Sequence, residues 1–229
     1  MPANTAAAPS NEAGRPTVDA RSGLRIALVV ACAHTVNDMY ASFVPPLLPR
    51  IMGDLGLSIA SAATLAVAFS IASALPQPLF GYLSDRYGRR IFAVVGPIVS
   101  AVFVSLIGWA PGFATLVLLL VIGGIGSAAF HPPGASYAVR VTEGKGGGAR
   151  YSLFAFFGSV GFALGPLVAV FLVQRRGLEG LWIAMLPALI AAPLLYLALP
   201  SGRSEVRAET REPPPPPSVV LRHLRGPLG

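Results

Sequence analysis

Six apolar runs, at about 24–48, 57–80, 91–110, 113–138, 151–173 and 180–199, decide what this chain can fold into. A bilayer core ~30 Å thick is crossed by about 20 mostly apolar helical residues, and each run is of that order. Backbone N–H and C=O groups in lipid must be satisfied internally, which leaves helices and closed barrels. Barrel strands are about ten residues long and alternate in polarity, whereas these runs are longer and uniformly apolar. The expectation is an all-α membrane protein whose six transmembrane helices form one bundle over 24–200. Composition agrees: the chain is 54% hydrophobic and 12% charged, against roughly 25% charged in a soluble domain. Its 22 prolines and 25 glycines would suggest disorder in a polar chain, but suit membrane helices.

The net charge of +7 raises the question of nucleic acid. The basic residues lie in short clusters between apolar runs with no aromatic-basic face, so a lipid bilayer is the expected partner and nucleic acid is not. Cys32 is the only cysteine, inside an apolar run, where it reads as a small packing residue. No disulfide framework, thiol metal site or cofactor is expected. No H-E-x-x-H or G-x-S-x-G stretch suggests an enzyme.

Lysine and arginine set the orientation. With the amino terminus inside, the inner segments carry Arg15, Arg21, Arg25, Arg86, Arg89, Arg90, Arg140, Lys145, Arg150, Arg203, Arg207, Arg211, Arg222 and Arg225. The outer loops carry only Arg50, Arg175 and Arg176. The excess of basic residues belongs on the cytoplasmic side, so both termini are expected inside a plasma (inner) membrane. Residues 1–23 read as a disordered tail without the basic region and short apolar core of a cleavable signal. Residues 201–229, with five consecutive prolines, read as an extended linker or a shortened central loop.

Between the second and third runs stands GYLSDRYGRR, residues 81–90. Gly81 suits close helix approach, Asp85 can pair with Arg86 or Arg89, Gly88 permits a tight reversal, and Arg89 and Arg90 hold the next span to the inner side. On charge alone this is equally a basic turn that fixes topology. The spacing Gly81, Leu83, Asp85, Arg86, Gly88, Arg89, Arg90 resembles the loop 2–3 signature of the major facilitator superfamily, G-x-L-x-D-R-x-G-R-R/K. That resemblance implies two six-helix bundles rocking about a central cavity, each made of two inverted three-helix repeats. It further implies that Asp85 latches the halves, with Arg86 and Arg89 as charge partners. In the fifth run, Gly161, Gly165 and Pro166 resemble the G-x-x-x-G-P core of a motif in drug/proton antiporters of the superfamily. Ala169 and Ser152 depart from the usual glycines, and plain helix packing explains the same residues.

Polar side chains inside the runs are the candidate site. His34, Asn37 and Asp38 fall at i, i+3 and i+4 and share one helical face. Ionisable groups in a bilayer are costly and face a cavity or a partner. Asp38 is the better proton carrier, since a carboxylate at that depth is costly to keep charged, and His34 is one turn away. A solvated outer end of the span would account for Asn37 and Asp38 without function. His131 precedes Pro132, Pro133 and Gly134, which reads as a helix break of the kind that lines transporter cavities. Gln77, in P-Q-P, either lines the cavity or donates to carbonyls freed by the prolines.

H-x-x-N-D-M in the first run, with G-I-G-S-A-A-F-H-P in the fourth, resembles the fosmidomycin resistance branch of the superfamily. It implies proton-driven export of a drug or small metabolite, with His34, Asp38 and His131 in the cavity. Alternatives are a proton symporter for organic acids or sugars, and a non-transporting truncated membrane protein or assembly partner. Members of the superfamily usually have twelve spans, so a missing carboxyl-terminal half or a second six-helix unit is expected as partner.

Overall fold

The computed structural model describes residues 20–140 and 147–200. Both ends of the chain, expected as a tail and a linker, lie outside these residues except for the start of the first helix. All regular structure in the described residues is helical: α1 (Ala20–Ala41), α2 (Val44–Leu55), α3 (Ile59–Ala74), α4 (Gln77–Tyr87), α5 (Arg89–Ser105), α6 (Phe113–Arg140), α7 (Gly147–Arg176) and α8 (Leu186–Ala198). Short 3-10 stretches, Leu106–Trp109 and Leu178–Met185, extend α5 and precede α8. Joined end to end, these form six segments long and apolar enough to cross a membrane.

The breaks follow from local chemistry. Proline has no N–H and restricts the residue before it, so the first span divides at Ser42 and Phe43 and resumes as α2 with proline in its opening turn. The second span divides at Pro76 for the same reason, and α4 again opens on proline. Gly56, at φ 62°, closes α2, and the Ser58 hydroxyl accepts the Ser61 amide at 3.2 Å to cap α3.

The GYLSDRYGRR turn is tighter than a loop. Helix α4 runs through Asp85 and Arg86 to Tyr87, and α5 starts at Arg89, leaving Gly88 alone between them at φ 107°. An L side chain rarely adopts that backbone. Pro132 and Pro133 likewise do not break α6, which continues as helix from Phe113 to Arg140. The two prolines withdraw N–H donors from only the carbonyls four residues back. The helix axis is held from outside by close glycine contacts. A Cβ on Gly126 would stand 2.5 Å from the Ser100 nitrogen of α5, and one on Gly124 would stand 2.8 Å from the Ala72 Cβ of α3. Small residues admit such approach between membrane helices.

Two apolar clusters fill the bundle, one toward each end. The first gathers Tyr40, Phe43, Leu47, Leu65, Phe69, Val104, Leu116 and Leu181. The second gathers Val30, Ala93, Phe130, Tyr137, Phe154 and Leu195. The outer surface is also apolar: Ile71, Leu79, Phe162, Leu167, Leu194 and Leu197 are all exposed, a belt suited to lipid and not to water. Between the two clusters lies a layer of buried polar groups, His34, Asn37 and Ser127 among them.

Candidate functional site

The polar layer is built at the seams of α1 with α6 and α7. On α1, one helical turn separates His34 from Asp38, and their Nε2 and Oδ2 atoms are 3.1 Å apart. From α6, His131 Nε2 reaches to 3.3 Å from the other carboxylate oxygen, Oδ1. Asn37 Nδ2 donates both to Asp38 Oδ1 and to Ser127 Oγ of α6, each at 3.0 Å. Asp38, in the last turn of α1, is the one acidic residue among those described that lies away from the ends of a membrane-length segment, since the first segment runs on through α2 to Leu55. Two imidazoles from different helices therefore converge on a single carboxylate, and an amide orients it.

Both rings are fixed from behind. A carbonyl oxygen can only accept, so His34 donates Nδ1–H to the Phe154 carbonyl of α7 at 2.8 Å. His131 donates Nδ1–H to the Ser127 carbonyl at 2.8 Å, one turn back on its own helix. The His34 ring also stacks on Phe154, centroids 3.9 Å apart and planes 17° from parallel. His34 is buried, while Asp38 and His131 keep side-chain exposures of 18% and 26%. That partial exposure makes the carboxylate reachable from outside the bundle.

The glycines of the antiporter-like motif support this layer. Gly161 packs on the Thr35 carbonyl and Gly165 on Ser42 Oγ and the Met39 carbonyl, all well inside van der Waals contact for any added Cβ. Gly158 lies equally close against the His34 ring. Thr35 Oγ1 donates to the Phe157 carbonyl at 2.8 Å along the same seam. Pro166 sits within α7 without ending it. The motif thus holds α1 against α7 and presents the Phe154 carbonyl to His34.

Gln77 is not part of the layer. Its Nε2 donates to the Ser73 carbonyl at 2.9 Å, one turn back on its own span. Gly81 faces Pro132, but a Cβ there would sit at an ordinary 3.7 Å, so close approach does not require glycine at that position.

Around Gly88, Arg89 is buried and its Nη2 donates to Asp85 Oδ1 at 2.6 Å. Arg86 turns instead to the Tyr82 hydroxyl at 3.3 Å and the Tyr87 ring at 5.8 Å. Arg90 donates to the Tyr196 carbonyl of α8, with its guanidinium 3.6 Å from the centre of the Tyr196 ring. The basic cluster therefore splits into three tasks: one arginine for Asp85, one for the tyrosines of α4, one for α8. Leu83 is half-buried on α4.

Sequence reasoning had not included Ser127, Phe154 or Gly158 in the site. Ser127 lies one helical turn from His131 and was accessible to the same periodicity argument. Phe154 supplies a backbone carbonyl, for which no residue type gives a signal, and a ring that meets His34 only through the packing of α7 on α1.

A bundle of six membrane-length helices, with one mid-span carboxylate between two imidazoles, defines a multi-pass membrane protein. The sequence profile of the Major Facilitator Superfamily matches residues 30–228, and the chain belongs to that superfamily of transporters. It is 28% identical over 183 residues to the Fosmidomycin resistance protein of Escherichia coli (strain K12), a match covering 80% of this chain and 45% of that one. It is 31% identical over 155 residues to Multidrug resistance protein 1 of Bacillus subtilis (strain 168), covering 67% and 40%. With Quinolone resistance protein NorA of Staphylococcus aureus (strain MRSA252) it shares 26% over 129 residues, covering 56% and 33%. The chain spans less than half the length of each of these relatives.

Proposed function

We propose that this bundle serves as the amino-terminal half of a secondary active transporter that exports a drug or small metabolite against proton entry, by alternating access, and that it is not an enzyme. The carrying observation is the convergence of His34 and His131 on Asp38. A carboxylate held at this depth between two imidazoles can take up a proton from one side and release it to the other, and the cost of a bare charge in the membrane favours exchange over leakage. Resistance proteins among the relatives support a drug-like cargo. In this reading the protein sits in the plasma (inner) membrane with both termini cytoplasmic. A second six-helix half closes the cavity, and Asp85, held by Arg89, latches against it.

The test is made in the host cell, where whatever completes the transporter is present. A chromosomal Asp38→Asn substitution should raise intracellular accumulation of an exported drug such as fosmidomycin. The difference should vanish when an uncoupler collapses the proton gradient. Equal accumulation in both strains, for fosmidomycin and for a panel of drug-like cations, overturns export through this site. Proton-dependent uptake of an organic acid or sugar, lost in the variant, would replace export with symport.

A further inference from the structure

The same three side chains have the composition and spacing of a transition-metal site, and this goes beyond the transport reading without depending on it. Both imidazole Nδ1–H groups are committed to carbonyl oxygens, His34 to Phe154 and His131 to Ser127. In the neutral tautomers this leaves each Nε2 with a lone pair beside the Asp38 carboxylate, 3.1 and 3.3 Å from its oxygens. Three electron-pair donors then face one another. His34 Nε2 is buried and makes no hydrogen bond: it lies 3.1 Å from Asp38 Oδ2 without the alignment an N–H would need. One ligand atom from each of the three residues lies within 4.8 Å of the other two. The imidazole nitrogens lie 3.1 and 3.3 Å from the two different oxygens of the carboxylate, Oδ2 and Oδ1, of the order of the ~3.3–3.4 Å between neighbouring ligand atoms when metal bonds are ~2.0–2.1 Å, so both oxygens face the space an ion would fill.

We infer that His34, Asp38 and His131 bind one divalent transition-metal ion of the zinc type. Two imidazoles and one carboxylate suit Zn²⁺, Co²⁺ and Ni²⁺ better than the all-oxygen preference of Mg²⁺ or Ca²⁺. The surroundings supply the outer shell such sites use: an Nδ1–H held by a carbonyl behind each imidazole, and the Asn37 amide on the carboxylate. A proton satisfies one nitrogen at a time. Protonating both would place two imidazolium rings 5.2 Å apart in a largely buried layer, whereas one dication satisfies all three donors. The bound ion would tie α1 to α6 across their seam.

The test uses the protein purified from its host membrane into lipid nanodiscs, titrated with Co²⁺ alone and followed by visible ligand-field absorption. One Co²⁺ per chain is expected, with the intense bands of a tetrahedral site, displaced by Zn²⁺. His131→Gln and Asp38→Asn should each weaken it more than about tenfold, since even outer-shell losses cost on the order of 10–100-fold. His223→Gln, which removes the remaining histidine of the three in the chain, should leave it unchanged. His131→Gln alters a partly exposed side chain, so it reads the site even where Asp38→Asn lowers the yield of folded protein. No ligand-field signal, or one that survives His131→Gln or disappears with His223→Gln, overturns the inference. Failure of this test leaves the transport reading standing, since that reading is tested by drug accumulation.

Discussion

His131 Nε2 of α6 stands 3.3 Å from Oδ1 of Asp38 on α1, and Asn37 braces the same oxygen from 3.0 Å. This contact joins the first and fourth spans through ionisable groups in the middle of an apolar bundle. A change in the charge of Asp38 is therefore felt on two helices at once, which is the physical requirement for coupling protonation to helix movement.

The two glycine motifs should respond differently to substitution. Gly165→Leu drives side-chain atoms into the Ser42 hydroxyl and the Met39 carbonyl, and the latter is backbone that cannot rotate away. A loss of at least ~1–3 kcal/mol is expected from overpacking. Gly81→Ala adds a Cβ at ordinary contact distance from Pro132, and the expected change is within about 0.5 kcal/mol. Thermal unfolding in detergent, read by size-exclusion fluorescence, compares them. Equal sensitivity would contradict the packing assigned to α1 and α7.

Gly88 is the backbone hinge of GYLSDRYGRR, and its φ of 107° and ψ of 119° make Gly88→Ala strained by about 1–3 kcal/mol. Arg89→Gln should also destabilise this end of the bundle, because it removes a buried guanidinium hydrogen-bonded to Asp85. Arg86→Gln should not, since Arg86 only meets tyrosines on the exposed surface of α4. Comparing the unfolding temperatures of the three variants separates these roles.

Tyr40 is fully buried and donates its hydroxyl to the Ala184 carbonyl at 2.7 Å, pinning α1 to the 3-10 stretch before α8. Tyr40→Phe leaves that carbonyl without the donor and should cost about 1–3 kcal/mol. Unchanged stability of the variant would show that the contact is replaced, for example by water.

How much of this was legible in the sequence follows from whether each signal is local. Six spans could be read because length and hydropathy are properties of single segments. His34 and Asp38 could be placed on one face because they share a helix. Their meeting with His131 depends on how α6 packs on α1, and the small residues that set it, Gly124 and Gly126 against α3 and α5, carry no partner information in sequence. The Pro132–Pro133 pair shows the opposite failure: a local rule predicts a break, and packing on both sides keeps α6 continuous. Gln77 was ambiguous because one amide can serve a cavity or a carbonyl, and the local hydrogen bond to Ser73 is what forms.

The arginine distribution gives an orientation that labelling can check. In a Cys32→Ser background, Ser58→Cys, at the exposed cap of α3, should react with an impermeant thiol reagent from outside intact cells. Tyr87→Cys, exposed at the end of α4, should react only after permeabilisation. The reverse pattern would invert the topology.

The most direct test of the account is drug-evoked proton movement in inside-out vesicles from the host membrane, comparing wild type with Asp38→Asn. Addition of an exported drug to energised wild-type vesicles should dissipate part of the proton gradient, reported by a pH-sensitive dye, and His131→Gln should reduce the response. Asp38→Asn protein present at the same level should give none. A full response from the Asp38→Asn vesicles would contradict the central claim that this carboxylate carries the coupled proton.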